Sequence, residues 1–187
     1  MHSCIVSFSG RRAGNCSAIA QVLLKAMSGQ GEVKYYDFSA LRLTHCGQCG
    51  YECFQDRALC PYFSDPAFEI YDAVVHSAIS YYIVPNYCDY PCANFFIFNE
   101  RSQCYFQHCP ELLEQYERAP KKFIVVSNTG HDNFMAAFRY HTGDTPPKAL
   151  FLGARSFGKV SIDGDLMDAP EARKAVLRFM NSQEAYQ

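Results

Sequence analysis

Strand-like and helix-like patterns alternate along this chain five times, and that alternation limits the folds open to it. "CIVSFS" (4–9) is a short, β-branched strand pattern. After Asn15, apolar residues recur at Ile19, Val22, Leu23, Ala26 and Met27, the stripe of a helix packed by one face. "EVKYYDF" (32–38) reads as a second strand. Asp65-Pro66 supplies an N-cap and a first helical residue, and Ala67, Ile70, Tyr71 and Val74 continue that helix. "AISYYIVP" (78–85) is apolar throughout, as a strand covered on both faces should be. Helices are predicted after Pro91 and Pro110. "KKFIVVSNTG" (121–130) is a fourth strand ending in a turn, "NFMAAFRYH" a helix and "KALFLGARS" (148–156) a fifth strand. The last helix, "DAPEARKAVLRFM", opens with Asp168 and Glu171 in the spacing of a capping box. Strands alternating with helices give a parallel sheet covered on both faces. The expectation is therefore a three-layer, doubly wound α/β fold, with five strands in the order 2-1-3-4-5. No internal repeat is visible. Residues 1–187 read as a single domain with a cysteine-rich loop at 44–62, and the last few residues are expected to fray.

The composition narrows the function. Hydrophobic residues make up 49% and charged ones 19%, an ordinary globular balance. A net charge of −2 with pI near 6.3 argues against a nucleic-acid or anionic-membrane surface. No apolar run approaches the roughly 20 residues of a membrane span, and "MHSCIVSFSG" lacks the basic start of a signal peptide. The reading is a cytoplasmic chain with no nucleic-acid or membrane partner.

In a doubly wound sheet, ligands bind beyond the carboxyl ends of the strands, where the strand order reverses. "SFSGRRAGNCS" (7–17) falls there, after the first strand. Backbone N–H groups at a helix start are unpaired and carry positive partial charge, which suits a phosphate. Gly10 and Gly14 allow close approach, Ser9, Asn15 and Ser17 can donate, and Arg11 and Arg12 add charged donors. The alternative is a polar turn that caps a helix, with both arginines solvated. The stretch is neither a P-loop nor a dinucleotide fingerprint.

Ser9, Arg11, Gly14 and Asn15 together resemble the phosphate loop of the NADPH-dependent FMN reductase family, whose fold is flavodoxin-like. Cys16 stands where that family has threonine or serine, with Ser17 one place later. The family's Pro-x-Tyr loop after the third strand is matched by Pro85, Asn86 and Tyr87, followed by Cys88. Asn99-Glu100-Arg101 is similar to its Asp-Arg pair, and Thr129, Gly130 and His131 sit where the family approaches the flavin ring. The resemblance implies bound FMN and NAD(P)H as co-substrate. It also implies a small electron acceptor such as a quinone, and a homodimer or homotetramer with the ring site at a subunit contact. With no tryptophan in the chain, the ring stacked on a flavin must be Tyr or Phe. Tyr87 and Tyr90 are nearest, although Tyr90 reads better as an aromatic packed at a helix start.

Ten cysteines remain to be placed. Most of the scattered ones are expected to be buried as small apolar side chains. Cys46, Cys49, Cys53 and Cys60, spaced C-x2-C-x3-C-x6-C with a proline after the last, are candidate metal ligands. The segment also resembles the cysteine motif of iron-sulfur flavoproteins. Three alternatives stay open: a 4Fe-4S cluster, a zinc site, or a loop of reduced thiols. The six histidines show no metal spacing, and His45, His108 and His141 read as surface or loop residues. Three functions follow: an FMN-dependent NAD(P)H oxidoreductase, a flavin and iron-sulfur electron carrier, or a cysteine-rich redox-sensing module without flavin.

Overall fold

The computed structural model describes residues 2–47 and 49–182; the expected fraying of the last residues lies outside them. Strands β1 (His2–Ser7), β2 (Val33–Asp37), β3 (Ser77–Tyr87), β5 (Lys121–Val126) and β6 (Lys148–Leu152) form a parallel sheet in the order β2-β1-β3-β5-β6. This is the 2-1-3-4-5 order once the two-residue strand β4 (Tyr90–Pro91) is set aside. That strand pairs antiparallel with the end of β3 and makes a sixth member the sequence did not suggest. The fold is flavodoxin-like.

Alternating side chains of each strand feed two cores. Val6, Tyr82, Val84, Phe123 and Val125 point to one face, and Ile5, Tyr81, Ile83 and Ile124 to the other. The first face is covered by α2 (Pro66–Val75), α3 (Ala93–Phe106), α4 (Pro110–Arg118) and α5 (His131–Arg139), through residues such as Tyr71, Phe98, Tyr116 and Phe138. The second face is covered by α1 (Asn15–Met27) and α6 (Pro170–Asn181), through Ile19, Leu23, Val176 and Phe179. No helix among the described residues is long and apolar enough to cross a membrane.

Lys121 and Lys122 exploit the same alternation. Lys121 Nζ donates to the carbonyls of Tyr116 and Ala119 at the end of α4. Lys122 Nζ donates to Phe179, Met180 and Ser182 at the end of α6, at 2.8, 2.8 and 2.7 Å. Adjacent residues at the start of one strand thus satisfy the orphan carbonyls of two helices on opposite faces of the sheet.

Several local expectations change. Asp65 is the N-cap of α2, accepting from Ala67 N at 2.9 Å. The capping box at the last helix is absent: Ala169 is the N-cap of α6, and Asp168 ends a short 3-10 turn. The fifth strand stops at Leu152, and Ala154–Phe157 form another such turn. His141 is not a surface residue. It is fully buried, and its Nδ1 lies 2.6 Å from Tyr116 Oη, which in turn lies 2.9 Å from Tyr82 Oη.

Candidate functional site

The chain leaves β1 toward β2 on one side and returns past it to β3 on the other, so the loops after β1 and β3 diverge and open a crevice. A cavity of about 140 Å3 lies in that crevice. It is lined by Ser9, Arg11, Gly14, Asn15 and Cys16 after β1, by Pro85, Asn86 and Tyr87 at the end of β3, and by Val126 of β5. A neighbouring hollow adds Cys88, Ser127, Asn128 and Thr129. The structure therefore brings together most of the residues singled out in the sequence. Arg12, Ser17, Gly130 and His131 do not line it.

The loop after β1 is anchored at its base, where Phe8 O accepts from Cys92 Sγ (3.3 Å) and Asn94 Nδ2 (3.0 Å) at the start of α3. Ser9 Oγ accepts from Arg11 N at 3.2 Å. Ser17 is turned inward: its hydroxyl bonds both the N–H and the carbonyl of Gly14, each at 3.0 Å, and closes the first turn of α1. Asn15 is also committed, donating to Ser161 O (3.0 Å) and accepting from Leu166 N (3.0 Å). Arg11 Nη2 donates to Ile162 O at 2.8 Å, while the side chain stays exposed.

These bonds reveal a wall that sequence reasoning missed. Residues 158–166 run across the loop after β1, so closely that a Cβ on Gly164 would stand 3.1 Å from Gly14 Cα. Ser161 and Ile162 line the cavity from this side. The available signal was "GKVSIDGD" (158–165), whose Gly158 and Gly164 both adopt positive φ.

What reads as a loop after the third strand is a tight hairpin. β3 runs on to Tyr87, Cys88 and Asp89 both adopt left-handed conformations (φ 52° and 65°), and Tyr87 pairs with Tyr90. Two such residues between paired strands make the I′-type connection. Both tyrosines end up exposed, at 52% and 53%, so Tyr90 is not packed at a helix start. The hairpin is tied to the loop after β5: Thr129 Oγ1 donates to Asp89 Oδ1, and Asn133 Nδ2 to Asp89 O at 3.0 Å. Asn86 Nδ2 donates to Ser127 Oγ (2.5 Å) and to Thr129 O (3.1 Å), which leaves Asn86 Oδ1 buried without a partner. His131 lies over Phe151, with ring centroids 4.4 Å apart.

The cysteine loop sits elsewhere, against α3. Arg101, in the segment similar to the family's Asp-Arg pair, is fully buried and pins that loop. Its guanidinium pairs with Asp65 (3.2 Å) and donates to Thr44 O (3.3 Å) and Tyr62 O (3.1 Å). Glu100 Oε2 accepts from Cys46 N at 3.2 Å. Cys53 and Cys60 are buried, whereas Cys46 and Cys49 are partly exposed. Among the described residues no three His, Cys, Asp or Glu side chains are grouped as a metal site. Of the scattered cysteines, Cys4, Cys16, Cys92 and Cys104 are buried as expected, and Cys88 is exposed.

No protein-family model and no curated protein matches the chain. Solved structures do. The Trp repressor binding protein from Bacillus subtilis is 16% identical with a TM-score of 0.61, over 97% of this chain and 99% of that one. FerB, a flavoenzyme NAD(P)H:(acceptor) oxidoreductase from Paracoccus denitrificans, is 16% identical with a TM-score of 0.55, over 96% and 95%. An azoreductase from Bacillus anthracis is 12% identical with a TM-score of 0.54, over 95% and 99%. At these identities the likeness is one of fold.

Proposed function

We propose that this chain is an FMN-dependent NAD(P)H oxidoreductase that delivers electrons to a small acceptor such as a quinone. The observation that carries the proposal is the crevice beyond the carboxyl ends of β1 and β3, where Ser9, Arg11, Asn15, Pro85, Asn86 and Tyr87 line one cavity. FMN, when bound, supplies hydride and electron transfer. The chain's own part is to hold it. Arg11 brings an exposed positive charge, Ser9 a hydroxyl, Pro85 a rigid wall and Tyr87 an exposed ring at the rim. The likeness to a protein named as a flavoenzyme NAD(P)H:(acceptor) oxidoreductase supports the same reading.

Titration of the purified protein with FMN, followed by flavin fluorescence, tests the proposal. Saturable quenching with one FMN per chain is expected, followed by NAD(P)H consumption in the presence of a quinone. A colourless protein that takes up no FMN would sink it. Binding with slow NAD(P)H turnover but rapid reduction by a protein donor would make the chain an electron carrier.

We also infer a homodimer or homotetramer. The many aromatics of "CANFFIFNERSQCYF" (92–106) would suggest a contact surface, but Phe95, Phe98 and Tyr105 are absorbed by the chain's own core. Among the described residues, exposed apolar side chains include Tyr51, Phe54, Leu59 and Phe63 near the cysteine loop, Tyr87, Tyr90 and Ile162 at the crevice, and Phe96, Tyr140 and Val160 elsewhere. Light scattering that finds only a 21.2 kDa species would remove this part.

A further inference from the structure

The cysteine loop brings sulphur to α3. Cys46 Sγ lies 3.8 Å from Cys104 Sγ, although the two residues are 58 positions apart. Cys104 shares one buried core with Cys53 and Cys60. Cys104 is wholly buried on a helix, while Cys46 is partly exposed in a turn beside Gly47, whose φ is +90°. The bond from Cys46 N to Glu100, one helical turn before Cys104, keeps the two sulphurs in register. Bringing them to a disulfide length of about 2.05 Å asks for a short movement of the loop residue and none of the helix.

We propose that Cys46 and Cys104 form a reversible disulfide when the protein meets a hydroperoxide, whether or not the chain binds flavin. The Cys46 thiolate attacks a peroxide oxygen: an S–O bond forms, the O–O bond breaks, and water or an alcohol leaves with a proton. The Cys104 sulphur then attacks the Cys46 sulphur. The S–S bond forms, the S–O bond breaks, and water leaves with the Cys104 proton. The two thiols supply the two electrons that reduce the peroxide, and an external dithiol returns them. Exposure sets the order of events, since peroxide reaches Cys46 from solvent and cannot reach Cys104.

The test uses full-length protein, reduced, desalted, treated with hydrogen peroxide, alkylated and digested without reductant. The expected result is a linked Cys46–Cys104 peptide, a mass lower by two hydrogens and two fewer free thiols per chain, all reversed by dithiothreitol. In Cys104→Ser, dimedone should trap Cys46 as a sulfenic acid with no internal link. Cys46→Ser, a near-isosteric change in the loop, should abolish the link and leave Cys104 fully alkylatable after unfolding. A link from Cys46 to Cys53 or Cys60 overturns the proposal. So does recovery of both thiols at a peroxide dose that oxidises the exposed Cys88. Stoichiometric zinc or iron that must be removed before Cys46 reacts would overturn it as well.

Discussion

At Gly130 the backbone turns left-handed, with φ at +78°, and passes so close to the β3–β4 hairpin that an added Cβ would stand 2.5 Å from Asp89 O. Both neighbours are backbone, so neither can swing away. Gly130→Ala is expected to cost roughly 2–4 kcal/mol by combining a left-handed penalty with an overpacked contact. It should also displace the hairpin and weaken FMN binding. Urea unfolding and FMN titration read the two effects separately, and unchanged affinity in a destabilised variant would detach the hairpin from the cofactor site. Arg11 acts by charge rather than shape. Arg11→Ala should loosen FMN by the worth of a charged hydrogen bond, roughly 1.5–3 kcal/mol, with the fold intact; equal affinity would remove Arg11 from the phosphate site. Arg101 has the opposite profile. Arg101→Met strands the Asp65 carboxylate, whose pKa burial already raises, and should destabilise by about 3–5 kcal/mol. FMN affinity per folded molecule should hold, because α3 points this guanidinium at the cysteine loop.

Between elements, the clearest device is the hairpin that ends β3. Its turn asks for two left-handed residues and receives cysteine and aspartate. Asp89 tolerates the conformation and gains bonds to Thr129 and Asn133, whereas the exposed Cys88 gains no comparable compensation for it. Cys88→Gly should therefore raise stability by up to about 1 kcal/mol; a drop in the urea midpoint would mean the thiol packs usefully. The turn also shows where the sequence was legible and where it was not. Periodicity marked the five parallel strands, because two-sided burial leaves apolar runs that local pattern reveals. Asn86 and Tyr87 were visible as a motif, but not as strand, since the pairing that extends β3 is made by Tyr90–Pro91 across a turn without glycine. Residues 158–166 stayed hidden for another reason. Their role depends on Asn15 and Arg11, some 150 positions away, and no local signal carries a contact of that range. The burial of Arg101 stayed hidden too, because a charged residue in the third turn of a helix reads as solvent-facing. Only the packed loop reveals a buried partner.

Over the whole molecule, the two cores make stability depend on pH in a way the sequence alone did not show. His141 is sealed among aromatic rings, and burial, aided by the Lys121 charge, lowers its pKa from 6.5 to about 3. Between those values the unfolded chain takes up a proton that the folded chain refuses. Stability is therefore full above pH 6.5 and falls toward pH 3, by at most about 1.4 kcal/mol per pH unit from this group. Lys121 works in a higher window. Burial lowers its pKa from 10.5 to about 7, so the folded state disfavours its charge and stability climbs as pH rises from 7 to 10.5. The buried thiols oppose that climb. Cys4 is pushed up to about 12 and Cys92 to about 11, so above their ordinary value of 9.0 the unfolded chain loses protons that the folded chain keeps, and stability declines. The sum places the optimum at about pH 8–9, where His141 is neutral, Lys121 is largely discharged and the thiols are still protonated. Urea unfolding at fixed ionic strength from pH 4 to 10 measures the curve. His141→Gln should flatten the limb below 6.5, and Lys121→Met should flatten the rise above 7. An unchanged acid limb in the His141 variant would transfer that dependence to the carboxylates. An unchanged alkaline rise in the Lys121 variant would mean that the α4 carbonyls hold the lysine proton against burial.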